Sequence, residues 1–300
     1  MDIDPKWTAA LLRHHVRAME AAARSASDSD KLRLLALDPE VTWLVTSVRG
    51  SRALTDEEKA TVRDRANASL HNAAKRPRIV TKQNYTTFDR EAVVILEASA
   101  DGDATLRKMS IAEDCNGQLA ERVVGALEIL TRVWPAAAVE LQLLIERIII
   151  LKDTELTATH DQLFGVLFLG ENYMESLPRT VEALLHETSH HSMFLRLWLQ
   201  DYVSNPDDLV HHALRKDPRP ISGTLHAAFV LWRMHYGLHR WAEVENLPAD
   251  HEVSLIRDSD REKLVATLGT LADRAEWTTA GRTLFDSMAR GTVSSVVSPA

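Results

Sequence analysis

Apolar residues recur at steps of three and four along most of this chain, which is the spacing that predicts amphipathic helices. Before residue 80 the spacing predicts three helices, over Trp7–Ala26, Lys31–Val48 and Thr55–Ala74. It then predicts a helix from Gln118 to Val133, a break at Trp134-Pro135 and a resumed helix over Ala136–Leu144, because proline lacks the backbone donor that a helix needs. Further helices are predicted over 176–200, Ser222–Val244, Asp258–Ala275 and Ala280–Ala289.

Three short apolar runs, two of them rich in β-branched residues, interrupt the helical pattern and predict strands. They are Ala92–Ala98, Arg147–Leu151 and Gly165–Gly170. The order of the predicted elements is a group of helices, a small sheet and then further helices. This order predicts an α+β fold that is mostly helical, with the helix over 176–200 next to the small sheet. We expect a helical N-terminal region over residues 1–110 and a second region, with the candidate chemistry, over residues 111–300.

Composition and charge exclude some classes of function. The 300 residues include 43 acidic and 35 basic side chains, a formal charge of -8, which argues against general binding to nucleic acid or anionic membranes. Cys115 is the single cysteine, so a disulfide within the chain is impossible. No apolar run has the form of a signal peptide or the length of a membrane span, so we expect a cytoplasmic protein. The sequence does not define the oligomeric state.

The segment LLHETSHH contains an HExxH motif made by His186, Glu187 and His190. Histidines four residues apart lie on one face of a helix, one turn from each other, so both imidazoles can reach one metal ion. His191 points away from that face and is expected on the surface or behind the ligands. The motif therefore predicts a metal centre on the helix over 176–200.

The third ligand is not given by the motif. A metzincin would have glycine at 193 and histidine at 196, but this chain has Met193 and Arg196. A thermolysin-like enzyme needs a glutamate about one helix further on. The next glutamate after the motif is Glu243, which is too remote for that arrangement. The remaining candidates are Asp201, Asp207, Asp208, Asp217 and His226.

A second informative segment is DPRPISGTLH, from Asp217 to His226. Its two prolines stiffen the loop around Arg219, whose guanidinium can clamp a carboxylate or pair with Asp217. Ser222 can cap the following helix, and His226 then falls in the first turn, where it can face back toward the HExxH helix. His235 and His239 form another pair of histidines four residues apart. His235 follows His226 by nine residues, or about 900° of helix rotation, so it lies on the opposite side of the helix from His226.

The combination of HExxH with R-x-DPRP-x-SG-x-x-H resembles the 2-oxoglutarate-dependent HExxH-type peptide β-hydroxylases, which are encoded beside ribosomally made peptide natural products. The resemblance covers residues from about 140 onward. It includes the strand-like segments RIIIL and GVLFLG and the later segment WTTAGRTLFDSM. The matching motif positions are His186, Glu187, His190, Arg215, Asp217, Arg219, Pro220, Gly223 and His226.

The resemblance implies a zincin-like motif helix and an Fe(II) ion held by His186, His190 and His226. Asp217 is the alternative third ligand, since non-haem iron is usually held by two histidines and one carboxylate. Arg219 would hold the distal carboxylate of 2-oxoglutarate, and Arg215 would belong to the same cofactor site. The reaction would convert 2-oxoglutarate and O2 to succinate and CO2 while hydroxylating the β-carbon of a residue in a precursor peptide.

Glu187 has a different role in each reading of the motif. In an oxygenase it would orient a ligand or the substrate, whereas in a zinc peptidase it would be the general base. A zinc peptidase that processes such a peptide is therefore the alternative, and a non-catalytic peptide-binding protein is a third reading. We expect the substrate peptide to pair with Gly165–Gly170 as an edge strand and the N-terminal region to bind the leader part of the peptide.

Overall fold

The computed structural model describes residues 77–99, 109–160, 163–211 and 216–294. Within these ranges the chain has seven α-helices and a four-stranded mixed sheet. The predicted α+β, mostly helical fold is therefore confirmed. The three helices predicted before residue 75 lie outside the described residues. None of the described helices is long and apolar enough to cross a bilayer.

The chain divides into two compact units. Of the described residues, the first, the sheet unit, takes in those from 77 to 131 and from 135 to 183, and the second, the helical unit, takes in Arg132–Trp134 and those from 184 to 294. The predicted boundary near residue 110 stays a prediction. The strand at Arg78–Val80, before this boundary, pairs with the strand at Arg147–Leu151, after it.

The sheet unit is built on strands in the order β1-β2-β4-β3. Strands β1, β2 and β4 run parallel, and the short β3 pairs antiparallel with β4. Every residue of β2 and β4 is buried, as expected for strands covered on both faces. The strands are β1 (Arg78–Val80), β2 (Arg147–Leu151), β3 (Thr157–Ala158) and β4 (Val166–Gly170), and the helices are α1 (Thr87–Ser99), α2 (Gln118–Val133) and α3 (Pro135–Leu144).

The predicted strands at Arg147–Leu151 and Gly165–Gly170 are confirmed, but the expected role of the second is wrong. Strand β4 is paired with β2 on one side and with β3 on the other. It is therefore an internal strand of the sheet, paired with β3 at Phe168 and Leu169, and not the edge strand that the expectation requires. The expectation arose because a short apolar run indicates a strand without indicating its neighbours.

The strand predicted at Ala92–Ala98 is wrong, because these residues belong to helix α1. The amide of Thr86 donates to the Asp89 carboxylate at 2.7 Å, and the amide of Asp89 lies 3.4 Å from the Thr86 hydroxyl, so the two residues form a capping box. Helix α1 buries Phe88, Ala92, Val93 and Leu96, which recur at helical spacing. The Val-Val-Ile run suggested a strand, but the cap and this buried stripe favour the helix.

The helical unit contains the predicted helices with shifted ends. Helix α6 begins earlier than predicted, and the Nδ1 atom of His251 accepts from the Val253 amide at 3.2 Å as its N-terminal cap. A histidine is not among the usual capping residues, so no strong local signal marks this start. The elements are α4 (Leu177–Leu199), β5 (Leu209–Val210), β6 (Arg219–Pro220), α5 (Ile221–Glu245), α6 (Glu252–Arg274) and α7 (Thr279–Ser294).

Helix α5 begins at Ile221, directly after Pro220, which occupies the capping position without a side-chain hydrogen bond. The predicted cap by Ser222 is therefore wrong, and Ser222 lies inside the helix. Helix α5 ends at Glu245, and the left-handed backbone of the next residue, Asn246 (φ 51°), lets its amide donate to the carbonyls of Ala242 and Glu243. Because the helix starts at Ile221, His226 lies in its second turn rather than its first.

The core of the helical unit is formed by α5, α6 and α7 with Met193 of α4. Helix α7 approaches the loop that follows α4 very closely, because a Cβ atom at Gly281 would lie 1.7 Å from the Tyr202 carbonyl oxygen. The other main members of this core are Ile221, Leu225, Phe229, Trp232, Leu264, Leu268, Leu271 and Met288.

Candidate metal centre

His186 and His190 lie next to each other on one face of helix α4, as the motif predicts. Their Nε2 atoms are 3.0 Å apart, and the ring centroids are separated by 4.8 Å. Two nitrogen ligands at about 2.1 Å from one ion, at right angles to each other, are separated by about 3.0 Å. The pair therefore already has the spacing of two neighbouring ligands of one transition-metal ion.

His226 of helix α5 joins this pair from the opposite side of His190. The Nε2 atom of His226 lies 2.8 Å from Nδ1 of His190, and the ring centroids are 4.7 Å apart. Tertiary structure thus brings together all three histidines proposed as ligands, across 36 residues of sequence. We refer to His186, His190 and His226 as the histidine cluster.

The three imidazoles lie in a series rather than around one point. His190 faces His186 with Nε2 and His226 with Nδ1, and these two ring nitrogens point in different directions. Within the described ranges, no three His, Cys, Asp or Glu side chains are already arranged around a common metal position. Binding one ion through all three residues therefore requires the ring of His190 or His226 to turn.

Partial burial lowers the pKa of every histidine in the cluster. Desolvation, together with the charge of Lys263, lowers the pKa of His186 to about 4. Desolvation also lowers the pKa of His226 to about 4, with a further effect from His186, and holds the pKa of His190 well below its usual range. At neutral pH all three imidazoles therefore carry nitrogen lone pairs, which is the protonation state that binds a metal.

An aromatic ring borders the cluster on helix α4. Phe194 packs edge-to-face against His226 at 5.1 Å between centroids and lies 6.4 Å from His190. The sequence analysis missed Phe194, although its position four residues after His190 places it on the same helix face. A ring at this place restricts the histidine side chains and keeps water from part of the cluster.

Glu187 is buried, with its Oε1 atom 3.9 Å from Nε2 of His186. Its carboxylate therefore lies beside the histidine cluster. The backbone carbonyl of Glu187 lies 3.1 Å from Nδ1 of His191, which is fully buried. The surface position considered for His191 is therefore wrong, and this residue lies inside the protein.

In the second motif segment, His226 contacts the histidine cluster, but Asp217 and Arg219 do not. Asp217 and Arg219 are exposed, and Arg219 lies in β6, opposite Val210 of β5. No hydrogen bond or ion pair in the described part of the chain joins Arg219 to the histidines. Arg215 lies outside the described residues. The roles predicted for Arg215, Asp217 and Arg219 stay predictions.

Lys263 of helix α6 is a cation that the sequence analysis did not find. It lies close enough to His186 for its charge to lower the pKa of that histidine, although burial is the larger cause. Its ammonium is 3.4 Å from the carboxylate of Asp260, which is buried one turn earlier on the same helix. No local pattern identifies such a residue, because its place depends on how α6 packs.

No protein-family model matches this chain. No curated protein is significantly similar to it in sequence.

Proposed function

We propose that this protein is an Fe(II)- and 2-oxoglutarate-dependent oxygenase that hydroxylates the β-carbon of a residue in a ribosomally synthesised precursor peptide. The observation that supports the metal part is the cluster of three half-buried imidazoles, from an HExxH helix and a second helix, with ring nitrogens 2.8–3.0 Å apart. The oxygenase part is supported by the resemblance of the HExxH and DPRP-x-SG-x-x-H segments to peptide β-hydroxylases. The single cysteine fits action in a reducing cytoplasm.

The histidine cluster fits a borderline transition metal such as Fe(II), for which imidazole is a suitable ligand. His186 and His190 already have the spacing of neighbouring ligands, and His226 or Asp217 would supply the third position. When bound, iron with 2-oxoglutarate supplies the activation of O2 for hydroxylation. One oxygen atom enters the substrate C–H bond, and the other enters succinate as 2-oxoglutarate loses CO2.

Two cations are candidates for the distal carboxylate of 2-oxoglutarate. Arg219 has the planar guanidinium that binds a carboxylate through two hydrogen bonds, and it belongs to the motif. Lys263 is the cation whose charge reaches the histidine cluster. Glu187, beside His186, would orient a ligand or the peptide rather than transfer a proton, since no water needs to be deprotonated.

Anaerobic reconstitution tests the proposal. We expect wild-type protein with Fe(II) and 2-oxoglutarate to develop a weak visible charge-transfer band, and His226→Ala to lose it. Arg219→Ala and Lys263→Met identify the residue that binds the distal carboxylate. Substitution of that residue should weaken 2-oxoglutarate binding by at least about tenfold, as expected when a charged hydrogen bond is lost. His211→Ala removes an exposed histidine and is the matched control. No band with wild-type protein would contradict the oxygenase.

A zinc peptidase is the second candidate, and the position of Glu187 favours it. A buried carboxylate 3.9 Å from a candidate ligand nitrogen is placed as the general base of a HExxH peptidase would be. Glu187→Gln discriminates the two functions, because a peptidase should lose all activity whereas an oxygenase should still form the Fe(II)–2-oxoglutarate complex. Mass spectrometry of the precursor peptide gives the second criterion: a gain of one oxygen atom or cleavage of the chain.

A further inference from the structure

Strands β5 and β6 form a two-stranded sheet, and helix α5 begins directly after β6. Leu209 of β5 pairs with Pro220 of β6, and Val210 pairs with Arg219. Successive strand residues point to opposite faces, and Val210 is buried in the core of the helical unit, so Leu209 and Pro220 lie on the outer face. Leu209 is 67 % exposed, the largest exposed fraction of any large apolar side chain in the described part of the chain.

The outer edge of β5 is open to a further strand. The carbonyl oxygen of Asp208 accepts from the Ile221 amide at 2.9 Å, so the backbone groups of Asp208 face β6. Those of the next residue, Leu209, therefore point away from β6. This agrees with the pairing of Leu209 to Pro220, because a proline has no N–H for a hydrogen-bonded pair. Leu209 thus presents one donor and one acceptor to the outer edge.

The outer edge of β6, by contrast, is closed. Pro220 has no donor, and its carbonyl oxygen accepts from the hydroxyl of Thr224 at 3.2 Å. Proline is one of the residues with which natural proteins block an edge strand. A further strand therefore adds to this sheet on the side of β5.

The surface around the open edge is acidic. Of the described residues from 201 to 220, four exposed side chains are acidic and two are basic. The acidic ones are Asp201, Asp207, Asp208 and Asp217, and the basic ones are Lys216 and Arg219. Two of the aspartates directly precede Leu209, next to its open backbone groups. Charge complementarity therefore favours a basic chain at this edge.

We propose that the outer edge of β5 is a docking site for an extended, basic segment of a peptide partner, which adds to the sheet as a third strand. Leu209 supplies the backbone hydrogen bonds, and its side chain with Pro220 contacts an apolar residue of the peptide. Asp207 and Asp208 attract the basic residues on either side of it. That the partner is a peptide rests on the proposed function.

The docking site lies within reach of the histidine cluster. His226 follows Pro220 by six residues of helix α5, which is about 9 Å along the helix axis. An extended peptide covers about 3.3 Å per residue. Residues close to the docked segment can therefore reach His226, so the edge of β5 binds the part of the peptide that flanks the modified residue.

Fluorescence anisotropy with defined peptides tests the docking site, with a chelator present so that no metal contributes. The probe is a short fluorescein-labelled peptide of alternating lysine and valine, and its control has glutamate in place of lysine. We expect the lysine peptide to bind wild-type protein, and to bind more weakly as the ionic strength rises, whereas the glutamate peptide should not bind.

Variants of Leu209 test the edge itself. Leu209→Pro removes both the outward N–H and the apolar side chain, so it should weaken binding of the lysine peptide by at least about tenfold. Leu209→Ala keeps the N–H and should give a smaller loss. Leu255→Ala replaces an exposed leucine of helix α6 and is the matched control, with binding as in wild type. In wild type, the Leu209 amide should exchange its hydrogen more slowly when the peptide is bound.

Three results would overturn the docking site. The first is a wild-type protein that does not bind the lysine peptide, and the second is binding that neither Leu209 variant changes. The third is a dimer, seen by gel filtration, that Leu209→Pro abolishes, because a second copy of the chain would then cover the edge. These measurements need neither metal nor turnover, so a failed docking site and a failed oxygenase proposal are separate results.

Discussion

Gly237 is a position where helix α5 packs tightly against the helix that carries the HExxH motif. A Cβ atom at this position would lie 2.6 Å from Cδ1 of Leu185 and 3.2 Å from Cε3 of Trp134. Carbon atoms in contact prefer about 3.5–4.0 Å, so Gly237→Ala forces Leu185 to move by about 1 Å. Leu185 directly precedes His186, and the substitution therefore also disturbs a candidate ligand.

Two opposing effects set the size of the change at Gly237. Alanine in place of glycine in a helix interior stabilises by about 1 kcal/mol, whereas overpacking a buried contact costs about 1–3 kcal/mol. Gly269 in helix α6 is the matched control, because a Cβ atom there meets no atom within 4 Å and Gly269→Ala has the propensity gain alone. We expect Gly237→Ala to be less stable than Gly269→Ala by about 1–3 kcal/mol, the overpacking cost alone.

Urea denaturation of the two variants and of wild type, with chelator present, measures this difference without a contribution from bound metal. A third variant, Leu185→Ala combined with Gly237→Ala, should be less destabilised than the sum of its two single changes, because the smaller side chain removes the clash. The reasoning is refuted if Gly237→Ala stabilises the protein as much as Gly269→Ala does.

Three further predictions concern the fold. Arg147→Met breaks the buried ion pair with Asp89, whose atoms are 3.0 Å apart, and should cost about 3–5 kcal/mol in chemical denaturation; replacing both residues by apolar ones should restore part of the loss. Gly281→Ala should lower the yield of folded protein, seen by gel filtration, because the added Cβ would lie 1.7 Å from the carbonyl oxygen of Tyr202. Thr86→Ala removes one half of the capping box and should destabilise by about 1 kcal/mol, whereas Thr86→Ser should not; thermal unfolding measures both.

Most helices after residue 110 could be predicted because their signal is local. The break between Val133 and Pro135 follows from the covalent structure of proline, which cannot donate the helical hydrogen bond. The HExxH helix follows from its apolar stripe. The helix at Thr87–Ser99 was missed because β-branched residues outweighed a capping box whose acidic member, Asp89, was not considered.

The candidate site also has one part that the sequence predicts and another part that it does not. Four-residue spacing on one helix determines that His186 and His190 are neighbours, and the 3.0 Å between their Nε2 atoms agrees with that prediction. The resemblance indicated His226, but no local rule indicates that it meets Nδ1 of His190 rather than Nε2. The direction of a ring across two packed helices depends on side-chain torsions and on the contacts between the helices.

The sequence by itself thus determined most of the helices after residue 110, where two strands run and which pair of histidines can share an ion, because each depends on residues within a few turns of one another. Tertiary structure alone decided that β4 is internal, that His191 is buried and that Lys263 acts on His186. Those outcomes depend on which elements pack together and in what register. Side chains distant in the sequence set that packing, and the local pattern of apolar and polar positions does not encode it.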